Sequence, residues 1–173
     1  TATQKYSELF EKYFMKAVTP NENKFTALHA ALWNSGTFIY IPKGVEVAIP
    51  LHSYYFTNQS SGLFSHTLII AEPESKVTFI EEAVSPFKEN QAFHSEVVEI
   101  FLQEGAKMTF LSLQSWGQNV YNFQVKRAIL EKDASLDWVF NIFGGKFTRL
   151  NLDMILKGDG SQARNYGIYF GLK

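Results

Sequence analysis

Apolar and polar residues alternate along most of this chain, and the alternation restarts after a small or polar turn at nearly constant intervals. Five restarts anchor the pattern: Val45 in Pro-Lys-Gly-Val-Glu-Val, Val77 in Glu-Ser-Lys-Val-Thr-Phe, Met108 in Gly-Ala-Lys-Met-Thr-Phe, Leu136 in Asp-Ala-Ser-Leu-Asp-Trp and Ala163 in Gly-Ser-Gln-Ala-Arg-Asn. They lie 32, 31, 28 and 27 residues apart. Within each unit the period is two, as in Val77 and Phe79 against Lys76 and Thr78, which specifies strands. Recurrence at about 30 residues specifies stacked supersecondary units. A solenoid of strands accounts for both periods better than a sandwich, whose strands return about every 8–12 residues through hairpins. Asp159-Gly160 is the nearest approach to a two-residue hairpin signal.

The opening segment follows a different rule. Tyr6, Leu9, Phe10, Tyr13, Phe14 and Ala17 fall at i, i+3, i+4, i+7, i+8 and i+11, the stripe of an amphipathic helix that Thr19-Pro20-Asn21 ends. Phe25, Leu28, Leu32 and Trp33 predict a second helix, with Asn21 or Asn23 as its cap and a break at Asn34-Ser35-Gly36. Stacked coils expose a raw edge of backbone and apolar groups at each end, so residues 1–36 are expected to form a helical cap on a strand solenoid of residues 37–173. Ile168, Tyr169 and Phe170 form the last strand-like run. Its edge is expected to continue into a longer solenoid or to pair with another subunit.

Composition narrows the function. Apolar residues make up 46% of the chain, with 16 Phe, 8 Tyr and 3 Trp, enough for a packed core. Sixteen basic and 17 acidic residues without runs leave no electrostatic footprint for nucleic acid or an anionic membrane. No apolar run approaches the ~18 residues of a membrane span, so a cytoplasmic location is expected. There is no cysteine, which removes disulfides, thiolate nucleophiles and sulfur ligands together.

Alternation also predicts an unusual interior. If Val77 and Phe79 point inward, so do Glu81 and Ala83; by the same count Met108, Phe110, Ser112, Gln114 and Trp116 point inward. Stacking in register puts Ala83 beside Gln114, with Leu51 and Ile142 at the equivalent places in the neighbouring coils. A buried carboxylate or amide without partners costs several kcal/mol, so Glu81 and Gln114 must be paired, hydrated or functional.

With those residues in view, the chain resembles the SufB/SufD family of iron–sulfur cluster assembly scaffolds. The most specific stretch runs from Ala27-Leu28-His29-Ala30-Ala31-Leu32-Trp33-Asn34-Ser35-Gly36 through Thr37-Phe38-Ile39-Tyr40-Ile41-Pro42-Lys43-Gly44-Val45. Four further blocks agree in order: Thr67-Leu68-Ile69-Ile70-Ala71, His94-Ser95-Glu96-Val97-Val98-Glu99, Gln114-Ser115-Trp116 with Asn122-Phe123, and Val125-Lys126-Arg127-Ala128. The resemblance implies a right-handed parallel β-helix. It also implies a related SufB/SufD-type partner subunit meeting the C-terminal β-helix edge, and a SufC-type ATPase of the ABC class docked by a helical segment beyond Lys173. SufB-type chains carry sulfur or a nascent cluster along the interior of the helix, and Gln114, Trp116 and Lys126 match positions on that path, beside Glu81 and Ala83. Where those chains read Glu-Gly-Cys, this one reads Glu81-Glu82-Ala83, so the sulfur-accepting thiol is missing. An Arg and an Asn expected after the Leu51 strand are also missing, with Tyr55 and Thr57 nearest. The cluster is therefore expected only transiently, in the assembled complex, with no cofactor held stably by this chain.

The same residues admit other chemistries. Paired carboxylates on a solenoid can hydrolyse glycosides, and Glu81, Glu82, Glu96 and Glu99 supply carboxyls; that reading requires an exposed acidic groove, whereas the scaffold reading requires an enclosed interior. A non-catalytic interaction module offering its edge strands is a further alternative. His94 with Glu96 at i, i+2 is the best candidate metal ligand, against a surface or loop histidine. No His-x-His supports it. His29 reads as a satisfied packing residue, and His52 and His66 as strand-border residues without a constellation.

Overall fold

In a computed structural model, which describes residues 2–56, 62–86 and 90–171, the chain forms three helices and ten strands. Thr57 lies outside the described residues. The helices are α1 (Ala2–Lys5), α2 (Ser7–Tyr13) and α3 (Lys24–Leu32). The strands are β1 (Ser35–Ile41), β2 (Leu51–Phe56), β3 (Leu63–Ala71), β4 (Lys76–Val84), β5 (Ala92–Leu102), β6 (Lys107–Trp116), β7 (Val120–Leu130), β8 (Ser135–Gly144), β9 (Phe147–Leu156) and β10 (Gln162–Phe170). Odd strands pair in the order β1-β3-β5-β7-β9 and even strands in the order β10-β8-β6-β4-β2, every pairing parallel. The chain passes from one sheet to the other and back, which makes about five turns of a β-solenoid.

The recurring turn has a backbone cause. Each corner places one residue in the left-handed region: Gly44, Glu74, Gly105, Asp133 and Gly160, with φ between 55° and 72°. After the last four of these a strand begins two residues later, and Val77, Met108, Leu136 and Ala163 lie in register across β4, β6, β8 and β10. Gly105, with φ 69°, holds a conformation that favours glycine, and a Cβ there would lie 2.2 Å from the Glu74 carboxylate, which would have to swing aside. The first anchor is displaced from the expected one. Glu46 bridges Lys76, so Val47 rather than Val45 takes the place of Val77. Leu51 then pairs with Phe79, which makes Tyr55, not Leu51, the first-coil neighbour of Ala83. The reason is the Ala48-Ile49-Pro50 segment: Pro50 has no N–H for the ladder, and the coil takes two extra residues before pairing resumes.

The interior is layered along the strand direction. One layer is apolar: Ile69, Ala71, Val77, Val98, Ile100, Leu102, Met108 and Leu136 surround a file of Phe79, Phe110 and Trp138, whose ring centroids are 5.3 and 5.0 Å apart. At the other end Tyr55, Ala83, Ala92, Trp116 and Val120 form a smaller apolar layer. Between them lies a polar layer, which holds the candidate site. Strands β4, β6 and β8 alternate buried and part-exposed residues, as expected for a sheet with one face in solvent. β3 and β5 are buried on almost every residue, because the helices cover their outer face.

The helices reach beyond the first coil. Phe10 packs on Phe38 of β1, Phe14 on His66 of β3, Tyr13 on Phe101 of β5 and Phe25 on Phe123 of β7. Helix α3 begins at Asn23, whose side chain accepts from the amides of Phe25 and Thr26 while Thr26 returns a bond to the Asn23 amide. The apolar stripe expected on α3 is not its buried face. Leu28 and Leu32 are exposed, and Thr26 and His29 are buried, because polar contacts beneath the helix set its rotation.

Candidate functional site

Strand alternation delivers the inner face of five consecutive strands to one enclosed space: Ser65 and Thr67 from β3, Glu81 from β4, His94 and Glu96 from β5, Ser112 and Gln114 from β6, and Asn122, Gln124 and Lys126 from β7. Each is buried. Lys126 is the centre. Its Nζ lies 2.7 Å from Glu96 Oε2, 3.2 Å from Glu81 Oε1 and 2.8 Å from Ser112 Oγ, which uses all three ammonium hydrogens. The ammonium also sits 5.5 Å from the Phe110 ring centroid. Thr67 Oγ1 donates to Glu81 Oε2 at 2.9 Å, and the Gln124 and Gln114 amides donate to Glu96 Oε2.

A second branch runs toward Ala83. Trp116 Nε1 and Asn122 Nδ2 both donate to Gln114 Oε1, each at 3.2 Å. Asn122 Oδ1 lies 2.7 Å from His94 Nδ1, so that nitrogen carries the proton and His94 Nε2 accepts from Ser65 Oγ at 3.3 Å. His94 stacks against Trp116 with centroids 4.6 Å apart. Ala83 pairs with Gln114 in the ladder and packs with Trp116 and Tyr55 in the apolar layer beyond.

Enclosure divides the charges unevenly. Burial, and then the neighbouring Glu96 charge, push Glu81 up to about 8 against the pull of Lys126. Burial acts the same way on Glu96, but the Lys126 ammonium beside it and the hydrogen bonds it receives outweigh burial and hold Glu96 at about 2. Burial lowers Lys126, yet the two carboxyls more than compensate and its pKa is raised. His94 is lowered by burial, which keeps it neutral.

The sequence candidates Glu81, Gln114, Trp116 and Lys126 therefore meet in one network, and Ala83 borders it. His94 is neither a surface residue nor part of a metal cluster: it is 1% exposed, and among the described residues no group of three or more His, Asp and Glu could hold a metal ion. Glu81 is likewise 1% exposed, which removes the open acidic groove that glycoside hydrolysis requires. Glu99 and Glu82 lie on other faces, Glu82 beside the half-exposed His52 at 3.4 Å. Sequence reasoning put Ser112 inside but missed Gln124, Asn122 and Thr67 as members. The inward phase of Gln124 and Asn122 was readable from Lys126 on the same strand, but Thr67 and Asn122 meet partners on the opposite sheet, and Gln124 meets Glu96 on the neighbouring strand β5.

A separate polar chain lies on the outer face of the same strands. Glu99 Oε2 accepts from His66 Nε2 at 2.9 Å and from the Met15 amide at 2.7 Å, while Oε1 accepts the Ala17 and Val18 amides at 2.7 and 2.9 Å. His66 Nδ1 lies 3.2 Å from His29 Nε2, and His29 Nδ1 3.0 Å from Ser95 Oγ. Burial, and then repulsion from His66, draw His29 down to about 3. His29 is the satisfied packing residue expected; His66 has the constellation that its strand-border position concealed.

The family model described as SUF system FeS cluster assembly, SufBD core domain, matches residues 54–173, and that of the SufBD protein N-terminal region matches residues 1–52. The chain is 36% identical over 169 residues to the iron–sulfur cluster assembly protein SufB of Bacillus subtilis, covering 97% of this chain and 36% of that protein. It is 36% identical over 174 residues to an iron–sulfur cluster assembly SufBD family protein of Staphylococcus aureus, covering 100% of this chain and 37% of that one. The chain thus spans little more than a third of the length of these relatives. No helix among the described residues is long and apolar enough to cross a membrane.

Proposed function

Because the chain belongs to the SufBD family of iron–sulfur cluster assembly proteins, we propose that it is a non-catalytic scaffold component of a Suf-type assembly complex. In this reading it works in the cytoplasm with a related SufB/SufD-type subunit and a SufC-type ABC ATPase, and the iron–sulfur cluster is cargo rather than a resident cofactor. The observation that carries the proposal is the sealed polar layer: Glu81, Gln114, Trp116 and Lys126 converge inside a parallel solenoid, where a buried ion pair contributes little to stability for its desolvation cost. Such a layer is retained more readily for what it does to a passing species than for holding the fold. Ala83 borders that layer without a thiol, so no persulfide can form at that position. Ile168, Tyr169 and Phe170 of β10 are exposed, which supports a further coil or a related subunit stacking on that strand.

The test is reconstitution. The full-length protein is mixed with a cysteine-bearing SufB-type subunit and the ATPase, and cluster formation is followed by visible absorbance. Complex formation with faster or more complete cluster assembly is the expected result. Co-purification with no effect on assembly would leave an interaction module instead.

A further inference from the structure

Inside the solenoid, two carboxyl groups face one ammonium in a space closed to solvent. Glu81 and Glu96 are each 1% exposed and Lys126 is 2% exposed. The other titratable groups facing this space are uncharged: His94 spends its two nitrogens on Asn122 and Ser65, and the Tyr55 hydroxyl bonds Thr37 at 2.8 Å. Two bare carboxylates against one cation would leave an uncompensated charge in a low-dielectric interior, which costs several kcal/mol per ion. A second observation is independent of that count. Glu96 Oε2 takes the donors of Lys126, Gln124 and Gln114, but Glu96 Oε1, although buried, meets no N–H or O–H donor among the described residues. Glu81 Oε1 and Glu96 Oε2 lie on the same ammonium, 3.2 and 2.7 Å from Lys126 Nζ, which sets the two carboxyl groups side by side where two ionised carboxylates would repel.

We propose that Glu81 and Glu96 share a single proton, resident on Glu81 and donated to Glu96 Oε1, and that Glu81 thereby sets the charge of cargo the interior accepts. The proton belongs on Glu81 because Glu96 has the nearer ammonium, 2.7 against 3.2 Å, and the two amide donors. The centre is then neutral, with Lys126 and Glu96 as its one ion pair. Resting on the cluster-assembly reading, the inference is that sulfur enters as an uncharged species, hydrogen sulfide or a protonated persulfide, and that a bare hydrosulfide anion is refused unless a proton enters with it.

The proton is measurable by infrared spectroscopy of the full-length protein, as the deuterium-sensitive C=O stretch of a protonated carboxylic acid. At pH 7, where exposed carboxyls are ionised, one such band is expected, and it should fade as pH rises through about 8. Glu81→Gln should abolish it while keeping the fold, since the new amide still donates to Glu96. Glu96→Gln should also abolish it, because Glu81 becomes the sole counter-ion of Lys126 and ionises. Absence of the band in the wild type, or its survival in Glu81→Gln, overturns the proposal. An intact band in a protein that does not influence cluster formation in the complex overturns the functional reading alone.

Discussion

Replacing Lys126 with Met removes the one cation from the polar layer while keeping most of its apolar stem. Lys126 Nζ stands 2.7 Å from Glu96 Oε2, and at an effective dielectric constant of about 20 that contact is worth about 6 kcal/mol of gross Coulomb attraction. Desolvation of the ammonium offsets part of this in the native protein, and breaking a buried pair by deleting one partner typically costs about 3–5 kcal/mol. That is a large fraction of the 5–15 kcal/mol or so that holds a domain together. The assay is urea unfolding at pH 7 followed by tryptophan fluorescence, since Trp138 and Trp116 are both buried. Glu96 without its cation should take up a proton more readily, so the deficit should shrink as pH falls from 7 to 5. Adding Glu96→Gln to Lys126→Met should restore most of the loss. Lys132→Met, which deletes an exposed pair with Glu104, serves as the control and should change little. A cost below about 1 kcal/mol for Lys126→Met, or a deficit equal at both pH values, would refute the electrostatic account.

Three further outcomes test other parts of the structure. Ala83→Cys should be nearly neutral in stability and react slowly with thiol reagents, because position 83 is 1% exposed beside Gln114; fast modification would mean the ladder register is wrong. Phe110→Ala removes the middle ring of the Phe79–Phe110–Trp138 file and should cost about 3–5 kcal/mol in denaturant unfolding. His29 has a native pKa of about 3, below its ordinary 6.5, so the unfolded chain binds the extra proton between those values. Its contribution is therefore present above pH 6.5 and lost as pH falls, by roughly 1.4 kcal/mol per unit, or about 2 kcal/mol at pH 5. His29→Gln, which offers both a donor and an acceptor without titrating, should flatten that part of the stability profile between pH 7 and 4; an unchanged profile would contradict it.

The repeat was legible because its cause is local. Every corner needs one left-handed residue, and the strand that follows must alternate, so Val77, Met108, Leu136 and Ala163 could be aligned from sequence and their inward residues counted off. The same counting failed in the first coil, where Pro50 interrupts pairing and a proline's effect on ladder register depends on the neighbouring coil. It placed Glu81 and Gln114 inside but could not supply their partners: Glu96 and Lys126 come from the opposite sheet, 15 and 45 residues beyond Glu81. His66 was harder still. Alternation distinguishes two faces of a strand, but only the docked helices turn the outer face of β3 and β5 into an interior, and a short helix with Thr26 and His29 inward carries little apolar signal.

Coils of a solenoid touch only the coils above and below, so a break in one pairing need not be felt two coils away. The helices alter that here by running across the courses instead of along them, with Phe10, Phe14, Tyr13 and Phe25 each seated on a different strand of one wall and Glu99 gripping the chain between α2 and α3. They act as a tie bar on four courses of masonry. Slow amide exchange should therefore extend as one block over β1, β3, β5 and β7, and cutting the bar at Glu99 should let those four courses loosen one by one.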